Sequence, residues 1–344
     1  MKALWKATIL GWIPSATFLA TASRVSLVAL CLGTVSLQAL DSGDHYRQYC
    51  KPLASSIEQY ERLQGTGEPT PACEAVPQTH SHNDYEHEYP LFDAMSWGFI
   101  SVESDIWLYP NDNGKLRVAH DEVQDPAPLP TIQDLYLDPL AEQYEHWHNG
   151  GVYRDGSTVT LLIDIKSTGL ETYQRLDQVL AEYNTQYPGL FTVYTKNPAG
   201  GFTVTKGAVT AIISGNRELG YMESQNVRYA GYDGRQSDIG GNASPGLIPL
   251  ISDNWDTYFS SYGWEGRGPM PSDIRAKMHE IIGKVHGEEK IARFWNLPND
   301  GPNVWGPLYE ENIDLINTDD LPGLSIYIQQ RENPFLCRGQ GEAR

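Results

Sequence analysis

Phe99-Ile-Ser-Val-Glu-Ser-Asp-Ile-Trp107 decides how the chain is read, together with its echo Leu161-Leu-Ile-Asp-Ile-Lys166. Side chains of an extended run alternate between two faces. Glu103 and Asp105 therefore share one face, while Ile100, Val102 and Ile106 share the other. In the echo, Asp164 and Lys166 share a face and Ile163 and Ile165 oppose them. The apolar face suits packing against helices, and the acids then point inward.

Short apolar runs recur at 76–80, 99–107, 116–120, 159–166, 208–215, 227–233, 290–296 and 312–317. Amphipathic stretches separate many of them. Eight such runs predict an α/β fold, a (β/α)8 TIM-type barrel in a single domain. Leu170, Tyr173, Leu176, Leu180 and Tyr183 fall on one helical stripe. Ser272 is placed to cap a second helix carrying Ile274, Met278, Ile281, Ile282 and Val285, with Gly287 as its stop. Residues 191–207 read as an inserted hairpin. Residues 234–270, rich in Gly, Ser, Asn and aromatics, read as a long loop able to cover a site.

The 344 residues exceed one barrel of about 250 residues, so extensions are expected. They divide into a signal peptide or signal anchor over 1–40, a leader over 41–75, the barrel over 76–330 and a tail over 331–344. Lys2 and Lys6 precede one apolar stretch, and Arg24 precedes a second from Val25 to Ala39. The second is too short and too hydroxyl-interrupted for a comfortable span, and Leu37-Gln-Ala39 fits a cleavage site. This predicts a secreted or secretory-pathway protein with no stable membrane span after cleavage. The alternative is membrane tethering by an uncleaved anchor. Cleavage leaves Cys50, Cys73 and Cys337, and an oxidising compartment then predicts one disulfide, from Cys73 to either of the others. Asn242-Ala-Ser244 is a glycosylation sequon. Oligomeric state is not legible.

A net charge of −19 argues against nucleic acid and against electrostatic capture by anionic membranes. Nine Trp and twenty Tyr can line a groove for a lipid or sugar, or simply fill core and surface. Cys-x-x-Cys and His-Glu-x-x-His are absent, which disfavours zinc, and no Gly-x-Gly-x-x-Gly or P-loop supports a nucleotide fold.

The chemistry concentrates in residues 80–121. His80, His82 and Asn83 precede Glu103 and Asp105, and His120-Asp121 follows. Two carboxylates on one inward face repel unless a cation lies between them, and a hard divalent ion prefers oxygen ligands. Asp164 offers a third acid, and Lys166 can meet a phosphate oxygen; a buried structural Asp164–Lys166 pair is the rival reading. Two histidines at strand ends can act as base and acid. Together these groups point to metal-assisted cleavage of a phosphate diester. His146-Trp-His148 sits on a predicted helix with its histidines on different sides and reads as structure.

At these residues the chain resembles the phospholipase-C-like phosphodiesterase superfamily, which includes glycerophosphodiester phosphodiesterases and phosphatidylinositol-specific phospholipases C. It looks nearest to proteins of the altered-inheritance-of-mitochondria six type. The resemblance is carried by His80-Ser-His-Asn-Asp-Tyr85, Ser101-Val-Glu-Ser-Asp105, His120-Asp121, Leu162-Ile-Asp-Ile-Lys166 and Ile213-Ser-Gly-Asn216. Ala292-Arg-Phe-Trp-Asn-Leu-Pro298 and Asp314-Leu-Ile-Asn-Thr-Asp-Asp320 extend it over roughly 76–328.

The resemblance implies a TIM-type barrel with one divalent cation, Mg²⁺ or Ca²⁺, on Glu103, Asp105, Asp164 and Asn83. It implies catalysis by His120 with His82 or His80. Lys166 and Asn216 would bind substrate and Trp295 would shape the pocket. His-Arg-Gly and Pro-Glu-Asn-Thr signatures of ordinary glycerophosphodiester phosphodiesterases are missing, which puts the glycerol-based substrate in question.

The expected activity is metal-dependent hydrolysis of a small-molecule or lipid phosphodiester, by water or through a cyclic phosphate. The substrate would be of the glycerophosphodiester or phospholipid head-group type. Alternatives are a secreted glycoside hydrolase and a non-catalytic lipid- or sugar-binding barrel.

Overall fold

The computed structural model describes residues 50, 71–198, 200–241 and 243–332. The signal segment, most of the leader, the sequon asparagine Asn242, Cys337 and the tail beyond residue 332 lie outside the described residues.

In chain order the strands are β1 (Thr79–Ser81), β2 (Ser101–Leu108), β3 (Leu116–Val118), β4 (Val159–Ile165), β5 (Val193–Lys196) and β6 (Phe202–Thr205). There follow β7 (Val209–Gly215), β8 (Val227–Arg228), β9 (Ala230–Gly234), β10 (Leu250–Asn254), β11 (Ile291–Trp295) and β12 (Leu315–Thr318). The helices are α1 (Phe92–Ser96), α2 (Asp138–Trp147), α3 (Gly169–Gln186), α4 (Leu219–Ser224), α5 (Trp255–Phe259), α6 (Ser272–Gly287), α7 (Pro302–Glu310) and α8 (Leu321–Glu332). Strands β1, β2, β4, β7, β9, β10, β11 and β12 pair in parallel in that order, and β1 pairs with both β12 and β2. The sheet is therefore a closed eight-stranded parallel barrel, as predicted.

One of the eight predicted runs was misplaced, and one barrel strand was missed. Leu116–Val118 is not a barrel strand: it returns antiparallel on β2, pairing Ile106 with Val118 and Leu108 with Leu116. The reversal follows from Asn111, Asn113 and Gly114, all at positive φ, a turn that short polar residues and Gly accommodate. Conversely, the segment expected to be a long loop contains barrel strand β10, followed by α5. The run 227–233 also divides, because Val227–Arg228 joins β5 and β6 in an antiparallel side sheet while β9 enters the barrel. The hairpin at 191–207 is present as β5 and β6.

The apolar faces pack outward against helices. Ile274, Met278, Ile281, Ile282 and Val285 of α6 are buried, as are Tyr173, Leu176 and Leu180 of α3. Leu170, in the first turn of α3, departs from its predicted stripe and is exposed. Pro271 occupies the cap position of α6, so Ser272 begins the helix instead of capping it. Cys50 is disulfide-bonded to Cys73.

Inside the barrel, Leu162, Ile212, Leu250 and Leu315 form a separate apolar cluster, with Ile100 and Ile291 packed against it. Ile100 was expected on the outer face with Val102; it precedes the first paired residue of β2 and packs on this inner cluster instead. The cluster is a dry floor. Two residues further along β4, β7, β10 and β12 the same inward face turns polar, at Asp164, Ser214, Ser252 and Asn317. Leu162→Ala should cost about 2–5 kcal/mol, because this 1 % exposed side chain has no solvent to replace it. Equilibrium urea denaturation checks this; an unchanged midpoint would show that the floor is not close-packed.

Candidate active site

Register brings the acids together. Asp105 of β2 pairs with Asp164 of β4, and Glu103 lies two residues earlier on β2, opposite Leu162. Glu103, Asp105 and Asp164 each present an oxygen, and these atoms lie within 4.8 Å of one another. The triad expected from the sequence is thus one cluster. Gly215 makes room for it: a Cβ there would lie 2.2 Å from Asp164 Oδ1, and its φ of +67° is one that Gly adopts freely.

Each acid is compensated differently. Glu103 accepts from Arg293 Nη2 at 2.7 Å and from His80 Nε2 at 3.1 Å. Burial alone would raise its pKa, but the Arg293 charge and the His80 bond hold it well below the usual carboxylate range. Asp105 accepts from Tyr85 Oη at 2.7 Å and faces Lys166 Nζ at 3.1 Å through the same oxygen. Burial nevertheless pushes its pKa up to about 6, with Asp164 and Glu103 adding to the shift. Asp105 Oδ1 is buried without a hydrogen-bond partner. Lys166 Nζ also lies 3.3 Å from Asp164 Oδ1. These two carboxylates raise the lysine's pKa although burial opposes them.

The histidines occupy three settings. His80 is fully buried; its Nδ1 meets Ser101 Oγ at 2.7 Å and its Nε2 meets Glu103. Burial first, then Arg293, pushes its pKa down to about 3. It is therefore a neutral imidazole donating Nε2–H to Glu103 and accepting from Ser101. His82 lies one position beyond β1, with its side chain 34 % exposed. Its backbone N–H donates to Thr318 O and its Nδ1 lies 2.8 Å from Asp319 Oδ1. Burial works against protonation, but the Asp319 bond outweighs it and raises the pKa. His120 follows the β3 hairpin strand, not a barrel strand. Its neighbour Ala119 donates to Asp105 O at 3.3 Å, so His120 stands at the rim beside β2, with its ring on Asp121.

The remaining predicted residues divide between two cavities. One of about 960 Å³ is lined by Lys166, Asn216, Trp107 and Tyr109, the last two with stacked rings. The other, of about 350 Å³, is lined by His82, Trp295, Asp300, Asn317 and Asp319. Asn216 spends its amide on the main chain, donating to Lys166 O and Ser167 O at 3.0 Å each. Asn83 adopts a left-handed backbone at φ 44° and precedes a short 3-10 turn.

Sequence reasoning gave no role to Arg293, Tyr85, Asp319 or Asp233. The first three lie inside quoted motifs, so the signal was a polar residue of the right parity with no partner nearby in sequence. Arg293 also reaches Asn317 and lies 3.4 Å from Ser252 Oγ. Asp233 is a further inward acid, fully buried, held at Oδ2 by Ser214 Oγ and Arg235 Nη1 at 2.7 Å each and unpartnered at Oδ1.

Because Arg293 is the buried counter-charge of Glu103, Arg293→Met should destabilise the fold by about 3–5 kcal/mol. Adding Glu103→Gln should recover a substantial part. Denaturant midpoints of the two variants test this, and additive losses would mean that the pair is not coupled.

A family model described as an AIM6-like phosphodiesterase domain matches residues 72–233. A Kluyveromyces lactis protein named altered inheritance of mitochondria protein 6 is 32 % identical over 313 residues, covering 73 % of this chain and 72 % of its own. A similarly named homolog from Arthroderma benhamiae is 27 % identical, covering 72 % of this chain and 82 % of its own. Among solved structures, a glycerophosphodiester phosphodiesterase from Agrobacterium tumefaciens superposes with a TM-score of 0.33 at 12 % identity, over 73 % of this chain and 99 % of that one.

The relatives' names refer to mitochondria, and this corrects the expectation of secretion, with its membrane-anchored alternative. The N-terminal signal was ambiguous: residues 1–40 contain no Asp or Glu and several Ser and Thr, a composition that organelle transit segments share. No helix among the described residues is long and apolar enough to cross a membrane.

Proposed function

The chain belongs to the altered inheritance of mitochondria protein 6 family, and from that premise we propose that it is a divalent-cation-dependent phosphoric diester hydrolase. Its substrate is a glycerophosphodiester or a phospholipid head-group-type diester. One observation carries the reading: Glu103, Asp105 and Asp164 converge from adjacent strands while Asp105 Oδ1 is buried without a partner. An orphaned buried carboxylate oxygen in an all-oxygen donor set fits a hard cation such as Mg²⁺ or Ca²⁺. These three acids would hold it. When bound, such an ion supplies Lewis-acid stabilisation of the phosphoryl oxygens.

The chain's own groups do the rest. Lys166, at the edge of the larger cavity, meets a phosphate oxygen while it stays paired with Asp105 and Asp164. His82 is the accessible imidazole of the first cluster, and it moves a proton at Nε2 while Asp319 holds Nδ1. His80 is enclosed and serves as a neutral strut under Glu103. His120, at the rim beside β2, is the second proton carrier. Trp295 walls the cavity beside His82, and the Asn216 amide fixes the carbonyls of Lys166 and Ser167. The incoming nucleophile is water or a hydroxyl of the substrate, the latter giving a cyclic phosphate.

A second reading has support in the same site. Lys166 lies between Asp105 and Asp164, and Arg293 lies on Glu103, so protein cations already offset part of the acid charge. A barrel so compensated can bind a phosphodiester without cleaving it.

Hydrolysis of bis(p-nitrophenyl) phosphate by the full chain, with EDTA, Mg²⁺ or Ca²⁺, separates the two. The hydrolase reading expects cation-dependent turnover, lowered by about a hundred- to ten-thousand-fold in His82→Ala or His120→Ala, with folding intact. Turnover equal in EDTA removes the cation, and binding without turnover selects the second reading. Aryl glycoside cleavage would point to a different enzyme class altogether.

The acid cluster can also be followed directly by carbon-detected NMR. Asp105 should titrate near pH 6 in EDTA and lower once a cation is added, since a nearby positive charge favours the ionised form. A midpoint indifferent to Mg²⁺ and Ca²⁺ would reject Asp105 as a ligand.

A further inference from the structure

Asp300 lies between β11 and α7, and its carboxylate is used by the chain four times over. Oδ1 accepts from Trp305 Nε1 at 2.9 Å and Thr318 Oγ1 at 2.6 Å. Oδ2 accepts from the backbone N–H groups of Asp319 at 2.8 Å and Asp320 at 3.0 Å. One side chain therefore fixes the segment in which β12 ends. That segment holds His82 twice, by Thr318 O on the histidine's backbone N–H and by Asp319 Oδ1 on its Nδ1.

The strength of each link shows which one matters. The Asp319 side chain is 74 % exposed. A pair that open to water contributes only about 0.2–1 kcal/mol and would not by itself hold an imidazole in one orientation. The constraint has to come from where the Asp319 backbone is held, and Asp300 holds it. A carboxylate also has no proton to give, so Asp319 selects the tautomer with Nδ1–H and leaves the Nε2 lone pair free.

We propose that Asp300 is a positioning residue that sets the orientation and tautomer of His82 through Asp319. The inference rests on His82 being the accessible proton carrier of the first cluster. Asp300 acts through Asp319; it keeps the rim segment of β12 at the distance where the His82–Asp319 bond forms.

The test reads the histidine itself as well as activity. Nitrogen NMR of the ¹⁵N-histidine-labelled full chain, with His82 assigned by His82→Gln, reports its tautomer. Asp300→Ala and Asp319→Asn should each shift the population from Nδ1–H toward Nε2–H. Thr318→Val, which removes one of the four bonds and a second acceptor for Asp320 N–H but leaves both backbone bonds to Asp300 Oδ2, should shift it less. On an aryl phosphodiester, kcat should fall by about 10–100-fold in Asp300→Ala while KM stays within about twofold. Asp300→Asn, which keeps an acceptor oxygen, should restore most of that loss. The Asp300→Ala/Asp319→Asn double variant should be no slower than the worse single one. A His82 tautomer unchanged in Asp300→Ala, or multiplicative losses in the double variant, overturns the proposal. If the wild-type chain cleaves no diester, the hydrolase reading fails on that result. The tautomer shift then still decides Asp300 by itself.

Discussion

Three carboxylates share one end of a barrel interior, and their mutual repulsion is the constraint to which the surrounding structure answers. Two unit charges about 5 Å apart repel by about 3 kcal/mol at an effective dielectric of about 20. That is several times what an exposed ion pair returns. The parallel register leaves no escape, since Asp105 and Asp164 are direct partners and Glu103 points the same way. The fold answers with cations from other elements: Arg293 from β11 on Glu103, and Lys166 from the end of β4 on the two aspartates. The answer is incomplete at Asp105, whose pKa sits near 6 and whose Oδ1 lacks a partner. Structural ion pairs are normally closed. The pair at Asp105 leaves one acceptor oxygen unused, as does the Arg235 pair at Asp233 Oδ1.

The dry floor makes this arrangement tolerable. Leu162, Ile212, Leu250 and Leu315 fill the barrel on the strand positions that precede the polar layer. They keep the acids at one end and leave water to approach from one side. Arg293 then works as a keystone. It spans from Glu103 to Asn317, linking β11 to β2 and β12 across the interior. Its removal would leave a charge buried where nothing can hydrate it.

Much of this was legible in the sequence because period-two alternation is a strong signal where one face is charged. Phe99–Trp107 and Leu161–Lys166 announced both strand and face, and Asp105 and Asp164 fell where alternation put them. Leu116–His120 carried a similar short apolar signature, yet the Asn111–Gly114 turn sends it back along β2. The turn residues, not the strand, held the information there. Strand β10 was hidden for the opposite reason. Leu250-Ile-Ser-Asp-Asn254 follows a Gly-rich stretch and is half polar, because its inward Ser252 belongs to the Arg293 network. Arg293 itself was unreadable as a partner, since Glu103 lies 190 residues away.

The His80 and His82 pair shows what alternation cannot say. Both have the same parity, so sequence places them on one face, but parity fixes direction and not depth. His80 pairs within the sheet opposite Asn317 and is sealed; His82 lies one residue past the last paired position and reaches the cavity wall. A two-residue step along a strand, about 7 Å, is the difference between a strut and a candidate proton carrier. The interior layer is therefore held by charge pairs between strands, whereas the rim is held by main-chain and side-chain donors gathered on single carboxylates. Asp84 binds Ser81 Oγ, Leu91 N and Tyr136 Oη behind the first histidine cluster, and Asp300 does the same for the segment after β12. Rim loops fixed in this way can place an accessible imidazole without burying it. A group that must exchange protons with substrate and solvent needs that combination.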